Sequence, residues 1–218
     1  ATPPLGFCYN KHVGRYSYKY EERSMNKYVG EAVGTGVLTM VVALALAGTF
    51  AVSVPVLAAL TLGLFVYSLG HLSGTHINPA VTIGAWSIGK VSTDDAIKYV
   101  IAQFIGAGAA LLIVGSLVTA ATLTVKSDLT TGLAEMIGAA LFTFGIASVV
   151  YGKTPAVMSG MVVGGSLLLG IAVAALLGSN GVLNPAVALG IGSFNVMYVL
   201  GPVLGSVLGM QIYKRLAV

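Results

Sequence analysis

Apolar residues run through this chain in blocks of about twenty, the length a helix needs to cross a hydrocarbon core about 30 Å thick. Six such blocks are legible: Tyr28 to Phe50, Pro55 to Leu72, Ala96 to Ala120, Leu129 to Tyr151, Ala156 to Leu177 and Val196 to Tyr213. Two shorter apolar pieces run from Pro79 to about Gly89 and from Pro185 to about Ser193. At 1.5 Å per residue, pieces of about ten residues reach only halfway through a bilayer. The pattern predicts an all-α membrane protein of six transmembrane helices and two re-entrant half-helices. Residues 1–26 form a polar arm, 27–120 and 129–218 two halves of a pore domain, and 121–128 their connection.

Composition agrees: 56% of the 218 residues are hydrophobic and 8% charged, far from soluble-protein averages. The six spans sort the charges by side. Lys11, Arg15, Lys19, Arg23, Lys27, Lys90, Lys98, Lys153, Lys214 and Arg215 fall on one face and only Lys126 on the other. This bias predicts both termini on the cytoplasmic side, or the stromal or matrix equivalent. The net charge of +4 follows from it and does not indicate a nucleic-acid partner. A lone Cys8 excludes an internal disulfide and a cysteine metal site, and three scattered histidines give no ligand pattern. The chain opens on Ala1; a removed targeting segment, pointing to an organelle, and a trimmed start explain this equally well. The arm carries Tyr9, Tyr16, Tyr18 and Tyr20 among basic residues, a composition for a partner or the headgroup layer that mobile termini share.

The tripeptide Asn-Pro-Ala occurs twice, at Asn78-Pro79-Ala80 and Asn184-Pro185-Ala186, each followed by Val. Asn is a favoured N-cap and Pro a favoured first helical residue, so each half-helix begins at its motif. The motifs belong to an internal duplication. Gly30-Glu31-Ala32-Val33-Gly34 matches Ala134-Glu135-Met136-Ile137-Gly138, and the spacing from Glu to Asn is 78 − 31 = 47 residues in one half and 184 − 135 = 49 in the other. Three spans per repeat is odd, so the second copy inserts upside down. Two half-helices then meet near the midplane with their positive dipole ends and unpaired N–H groups facing each other. A cation is repelled there and a neutral solute is not. Irregular backbone at that depth lines a water-filled cavity or is buried in protein.

With these motifs the sequence resembles the aquaporin, or major intrinsic protein, family over about residues 26–215. The residues that carry the resemblance are Gly30-Glu31, the run Gly70-His71-Leu72-Ser73-Gly74-Thr75-His76-Ile77-Asn78-Pro79-Ala80-Val81-Thr82, Ala102-Gln103 with Gly106, Glu135 with Gly138, and Gly201-Pro202 with Gly205. The resemblance implies one pore per chain, usually in a homotetramer, for water or small neutral solutes, with no cofactor. It places Asn78, Pro79, Ala80, Asn184, Pro185 and Ala186 at the central constriction.

Glu31 and Glu135 are carboxylates well inside spans, where an uncompensated charge costs about 2.5–3.5 kcal/mol. The resemblance favours bracing of the re-entrant loops over a proton relay, with His71 and His76 flanking the first loop. His76 is the better placed of the two for pH sensing, although a neutral loop histidine is the commoner case. Small residues, including Gly30, Gly34, Gly106, Gly138, Gly201 and Gly205, are read as helix-packing positions. Trp86 and Phe194 are read as packing or interfacial anchors.

One position departs from the family. The Arg that follows its second motif is replaced here by Val187. Carrying the remaining filter positions over by spacing gives Ala58, Ala172 and Gly181, with Ile171 or Val173 substituting if the register slips by one. This ring is wide and apolar: width admits solutes such as glycerol, urea, ammonia, peroxide or metalloid acids, while an apolar lining offers few hydrogen bonds and can gate by dewetting. The leading expectation is a passive channel. A non-conducting accessory subunit of a larger membrane complex is the alternative. An inverted-repeat transporter would need a coupling-ion site at Glu31 and Glu135. No nucleophile–base set or metal cluster marks an enzyme.

Overall fold

The computed structural model describes residues 7–10, 15–18, 20–48, 50–119, 123 and 125–217, with side chains from Met25 onward. A short hairpin, β1 (Phe7–Asn10) against β2 (Arg15–Tyr18), precedes the helices, with Phe7 opposite Tyr18 and Asn10 opposite Arg15. α1 (Tyr20–Ala47) begins within the segment read as the polar arm, so residues 20–26 form its polar first turns. Lys11 and Lys19, and the side chains of Cys8, Tyr9, Arg15, Tyr16, Tyr18, Tyr20 and Arg23, lie outside the described residues.

The remaining long helices are α2 (Val54–Ser73), α4 (Thr93–Leu117), α5 (Leu129–Val150), α6 (Ser159–Leu176, after a 3-10 turn at Ala156–Met158) and α8 (Met197–Ala217). Their starts have local causes. Ser92 Oγ accepts from the Asp95 amide at 3.1 Å, and Asp128 Oδ1 accepts from the Thr131 amide at 2.7 Å. Among the described residues, five helices are long and apolar enough to cross a membrane. The sixth, α8, has the length, but Pro202, Gln211, Lys214 and its tyrosines and glycines dilute it. Side chains such as Leu64, Ile105, Leu112 and Leu176 stand exposed along the spans, the surface a lipid environment requires.

The half-helices α3 (Pro79–Ser87) and α7 (Pro185–Gly190) are shorter than the apolar pattern suggested. Each stops on a left-handed glycine. Gly89 (φ 77°) follows α3, with Lys90 N–H bonding Ala85 O at 2.9 Å; Gly192 (φ 70°) follows α7, with Ser193 N–H bonding Ala188 O at 2.8 Å.

Packing follows the repeat. α1 lies on α4 as α5 lies on α8, α1 on α2 as α5 on α6, and α2 meets α6 across the pseudo-twofold axis. Each half-helix leans on the last long helix of the other repeat, α3 on α8 and α7 on α4. Glycines permit the closest contacts. A Cβ at Gly106 would sit 2.0 Å from Ala32 O, and one at Gly205 2.1 Å from Met136 O. Lys27 Nζ lies 2.7 Å from Asp95 Oδ1, and Lys90 lies over the ring of Tyr151, which stacks on Tyr213. These contacts gather Lys27, Lys90, Lys98, Lys214 and Arg215 at one end of the bundle, whereas Lys126 precedes α5 at the other. Trp86 is half exposed with its indole N–H on Thr93 Oγ1 at 3.1 Å, and Phe194 meets Phe104 edge to face.

Candidate functional site

The two motif loops meet inside the bundle and each completes the other. Asn78 caps α3 through Oδ1, which accepts from the Ala80 amide at 2.8 Å. Asn184 caps α7 by accepting from the amides of Ala186 (3.1 Å) and Val187 (3.3 Å). The amide nitrogens cross over. Asn78 Nδ2 donates to Leu183 O at 2.9 Å and Asn184 Nδ2 to Ile77 O at 3.0 Å. Each Asn therefore spends one amide hydrogen on the opposite loop and retains a second. Those carbonyls are aimed by unusual backbone: Ile77 (φ 38°) and Leu183 (φ 53°) are left-handed and fully buried, a conformation that survives only when its surroundings enforce it.

The enforcing groups are symmetric. Glu31 accepts from the amides of His76 (2.9 Å) and Ile77 (2.6 Å), from Ser73 Oγ (2.6 Å) and from Gln103 Nε2 (2.8 Å). Glu135 accepts from the amides of Val182 (3.0 Å) and Leu183 (2.7 Å) and from Ser179 Oγ. The glycine one turn after each Glu makes room for the residue so held. A Cβ at Gly34 would stand 2.5 Å from the Ile77 side chain, and one at Gly138 2.9 Å from that of Leu183. Converging donors are what a carboxylate inside a membrane needs to remain there.

His76 contributes its backbone amide to Glu31, its Nδ1 lies 3.2 Å from Thr82 Oγ1, and its ring meets Tyr99 edge to face. His71 does not join. It is exposed on the last turn of α2 and, among the described residues, makes no hydrogen bond to the loop; Ser73, two residues on, turns inward instead.

A cavity of about 140 Å³ runs from the two Asn side chains toward the end that carries Lys126. Ala58, Gly181 and Val187 line it, and so do Leu38, Leu62, Phe142 and Leu167. Ala172 does not. It is exposed on the outward face of α6, and Ile171, 7% exposed, faces the cavity in its place. A rotation of about 100° per residue makes a one-residue slip decisive. With Ile171 in the ring the lining is still apolar, but narrower than the ring of small residues expected from spacing.

Several supporting residues were given no role by sequence reasoning, although Ser73 and Gln103 carry the family resemblance. Ser73 and Ser179 stand at the same offset from their motifs, 78 − 73 = 5 and 184 − 179 = 5, so the repeat itself held the signal. Gln103 bridges Glu31 and Thr82 Oγ1, Tyr99 Oη donates to Ser73 O at 2.8 Å, and Tyr198 Oη accepts from the Asn180 amide at 3.3 Å. These partners come from other helices, which no local pattern connects to the loops. Among the described residues no group of three or more His, Cys, Asp and Glu side chains is placed to hold a metal ion.

Comparison with known proteins gives a consistent result. The sequence model described as "Major intrinsic protein" matches residues 20–213. The chain is 34% identical over 185 residues to the probable aquaporin AqpM of Archaeoglobus fulgidus, covering 73% of this chain and 74% of that protein. It is also 34% identical over 208 residues to glycerol uptake facilitator protein-like 6 of Lactiplantibacillus plantarum, covering 84% and 94%. The X-ray structure of the aquaglyceroporin from Plasmodium falciparum superimposes with a TM-score of 0.70 at 22% identity, over 88% of this chain and 96% of that one, which shows the shared fold.

Proposed function

The chain belongs to the major intrinsic protein family, and on that premise we propose a passive membrane channel for water and small uncharged solutes, graded by an apolar filter. The observation that carries the reading is the reciprocal pair Asn78–Leu183 and Asn184–Ile77 at the base of the cavity. Two helix N-termini face one another there, so partial positive charge opposes cations, while the second amide hydrogen of each Asn is a donor for a passing oxygen.

Selectivity is set by Ala58, Ile171, Gly181 and Val187. No fixed charge stands in this ring, so size and the loss of hydration decide passage. Glycerol, urea, ammonia, peroxide and undissociated metalloid acids form the candidate class beside water. Glu31 and Glu135 brace the loops through His76, Ile77, Val182 and Leu183 and take no part in permeation. The half-exposed apolar faces of the spans fit a homotetramer, and the basic end of the bundle fits a cytoplasmic or equivalent side carrying both termini.

Reconstitution into proteoliposomes tests the reading. Osmotic water flux and uptake of at least one small neutral solute rise above those of empty vesicles; identical traces refute it. Native mass spectrometry and protease protection of the termini check assembly and orientation separately.

A further inference from the structure

The outer half of the cavity poses a physical problem. A solute that enters must shed water against hydrocarbon walls, since Leu46, Val54, Ala58, Ile171 and Val187 offer no side-chain hydrogen bonds. Among the described residues only four polar side chains belong to the lining. His76, Asn78 and Asn184 cluster at the motif loops, and Asn180 is the fourth. Asn180 is exposed on the loop that leads into the second motif, beside the filter residue Gly181.

That loop is built to hold it in place. The Asn180 amide donates to Oη of Tyr198, which is 1% exposed, and neighbouring Ser179 is pinned to Glu135. Gly181 follows at φ 66°, and a Cβ there would stand 2.7 Å from Ile171 O. Position 181 therefore tolerates no side chain, and the loop's nearest polar side chain to the filter is that of Asn180. The first repeat differs at the equivalent place, with Gly74 after Ser73.

We infer that Asn180 is a specificity-determining residue of the outer mouth, whose carboxamide replaces part of the hydration of a hydroxyl- or amide-bearing solute before it enters the apolar filter. The inference rests on the channel reading above. A carboxamide is uncharged and can both donate and accept, so it exchanges hydrogen bonds with polyols and ureas and does not select for ions. Water, with fewer groups to desolvate, depends on it less than glycerol does.

The test uses the full chain in proteoliposomes, comparing wild type with Asn180→Leu, Asn180→Ala and Asn180→Gln for water and glycerol permeability. Loss of one net hydrogen bond lowers glycerol permeability roughly twofold to tenfold in the Leu and Ala variants. The glycerol-to-water ratio falls with it, and Gln restores most of that ratio. A folding defect reduces the number of active channels and leaves the ratio unchanged. An unchanged ratio in both Leu and Ala variants, with wild-type flux above empty vesicles, overturns the assignment and leaves the channel intact. Wild-type flux at the level of empty vesicles overturns both.

Discussion

Replacing Glu31 by Gln isolates the brace from the pore it supports. Four donors converge on Glu31: the His76 amide and Ser73 Oγ on one oxygen, the Ile77 amide and Gln103 Nε2 on the other. Gln keeps one acceptor and turns the other into a donor. The better orientation places the new NH2 beside Ser73, whose hydroxyl can rotate to accept, and keeps the oxygen for Ile77 and Gln103. The His76 amide is then orphaned in a half-buried site at about 1–3 kcal/mol, and the remaining bonds lose their charge assistance, for a total of about 2–4 kcal/mol. At about 2–4 °C per kcal/mol for a domain of this size, Tm falls by roughly 4–16 °C. Thermal unfolding in detergent, followed by intrinsic fluorescence, reads this directly.

The repeat supplies an internal control. In Glu135→Gln the same orientation sets the NH2 beside Ser179 and orphans the Val182 amide while keeping Leu183. The two variants therefore lose stability to within about 1 kcal/mol of each other, because each orphans a single half-buried amide. A Tm within 2 °C of wild type for Glu31→Gln would refute the account. Leu at position 31 orphans every donor at once, and no folded protein is expected.

Val187→Arg cuts glycerol permeability more than water permeability, by roughly tenfold or more, the scale on which a close-fitting site rejects added bulk; a larger loss of water flux contradicts the filter assignment. Ile171→Ala raises glycerol flux relative to water, whereas Ala172→Leu, on the exposed face, leaves both unchanged in the same swelling assay. Gly106→Ala and Gly205→Ala each force a Cβ to about 2 Å from a backbone oxygen and lower stability by more than the roughly 1–3 kcal/mol usual for overpacking, read as a fall in Tm. Gly165→Ala, where a Cβ meets nothing within 4 Å, is silent in the same unfolding assay.

The long apolar runs and the doubled motif made the architecture readable before any coordinates, because membrane depth fixes helix length and the odd number of spans fixes inversion. Half-helix ends were less legible. The helices end at Ser87 and Gly190, each just before a glycine with φ > 0, a backbone turn that the apolar pattern does not record. The cavity lining was legible only to within one residue: spacing from the motif does not say which side of α6 faces inward, and Ile171 lines the cavity where Ala172 was expected. His71 stands one turn from the loop in sequence, yet its direction from the last turn of α2 carries it outward. The partners Gln103, Tyr99 and Tyr198 were not legible as such, since their roles exist only once α4 and α8 have packed.

Symmetry and its breaking divide the labour in this pore. The brace repeats: Glu, then Gly one turn later, then Ser five residues before Asn, then a left-handed residue whose carbonyl meets the other Asn. A change in either copy is felt by both, because each loop supplies the other's hydrogen-bond acceptor. The proposed filter does not repeat. Asn180 and Gly181 come from the loop before the second motif and Val187 from α7, while Ala58 and Ile171 come from α2 and α6. The symmetric frame can therefore hold the midplane constriction at fixed geometry while the asymmetric mouth varies in width and polarity. Substitutions in the frame should move stability and flux together, and substitutions in the mouth should move the ratio between solutes with stability unchanged.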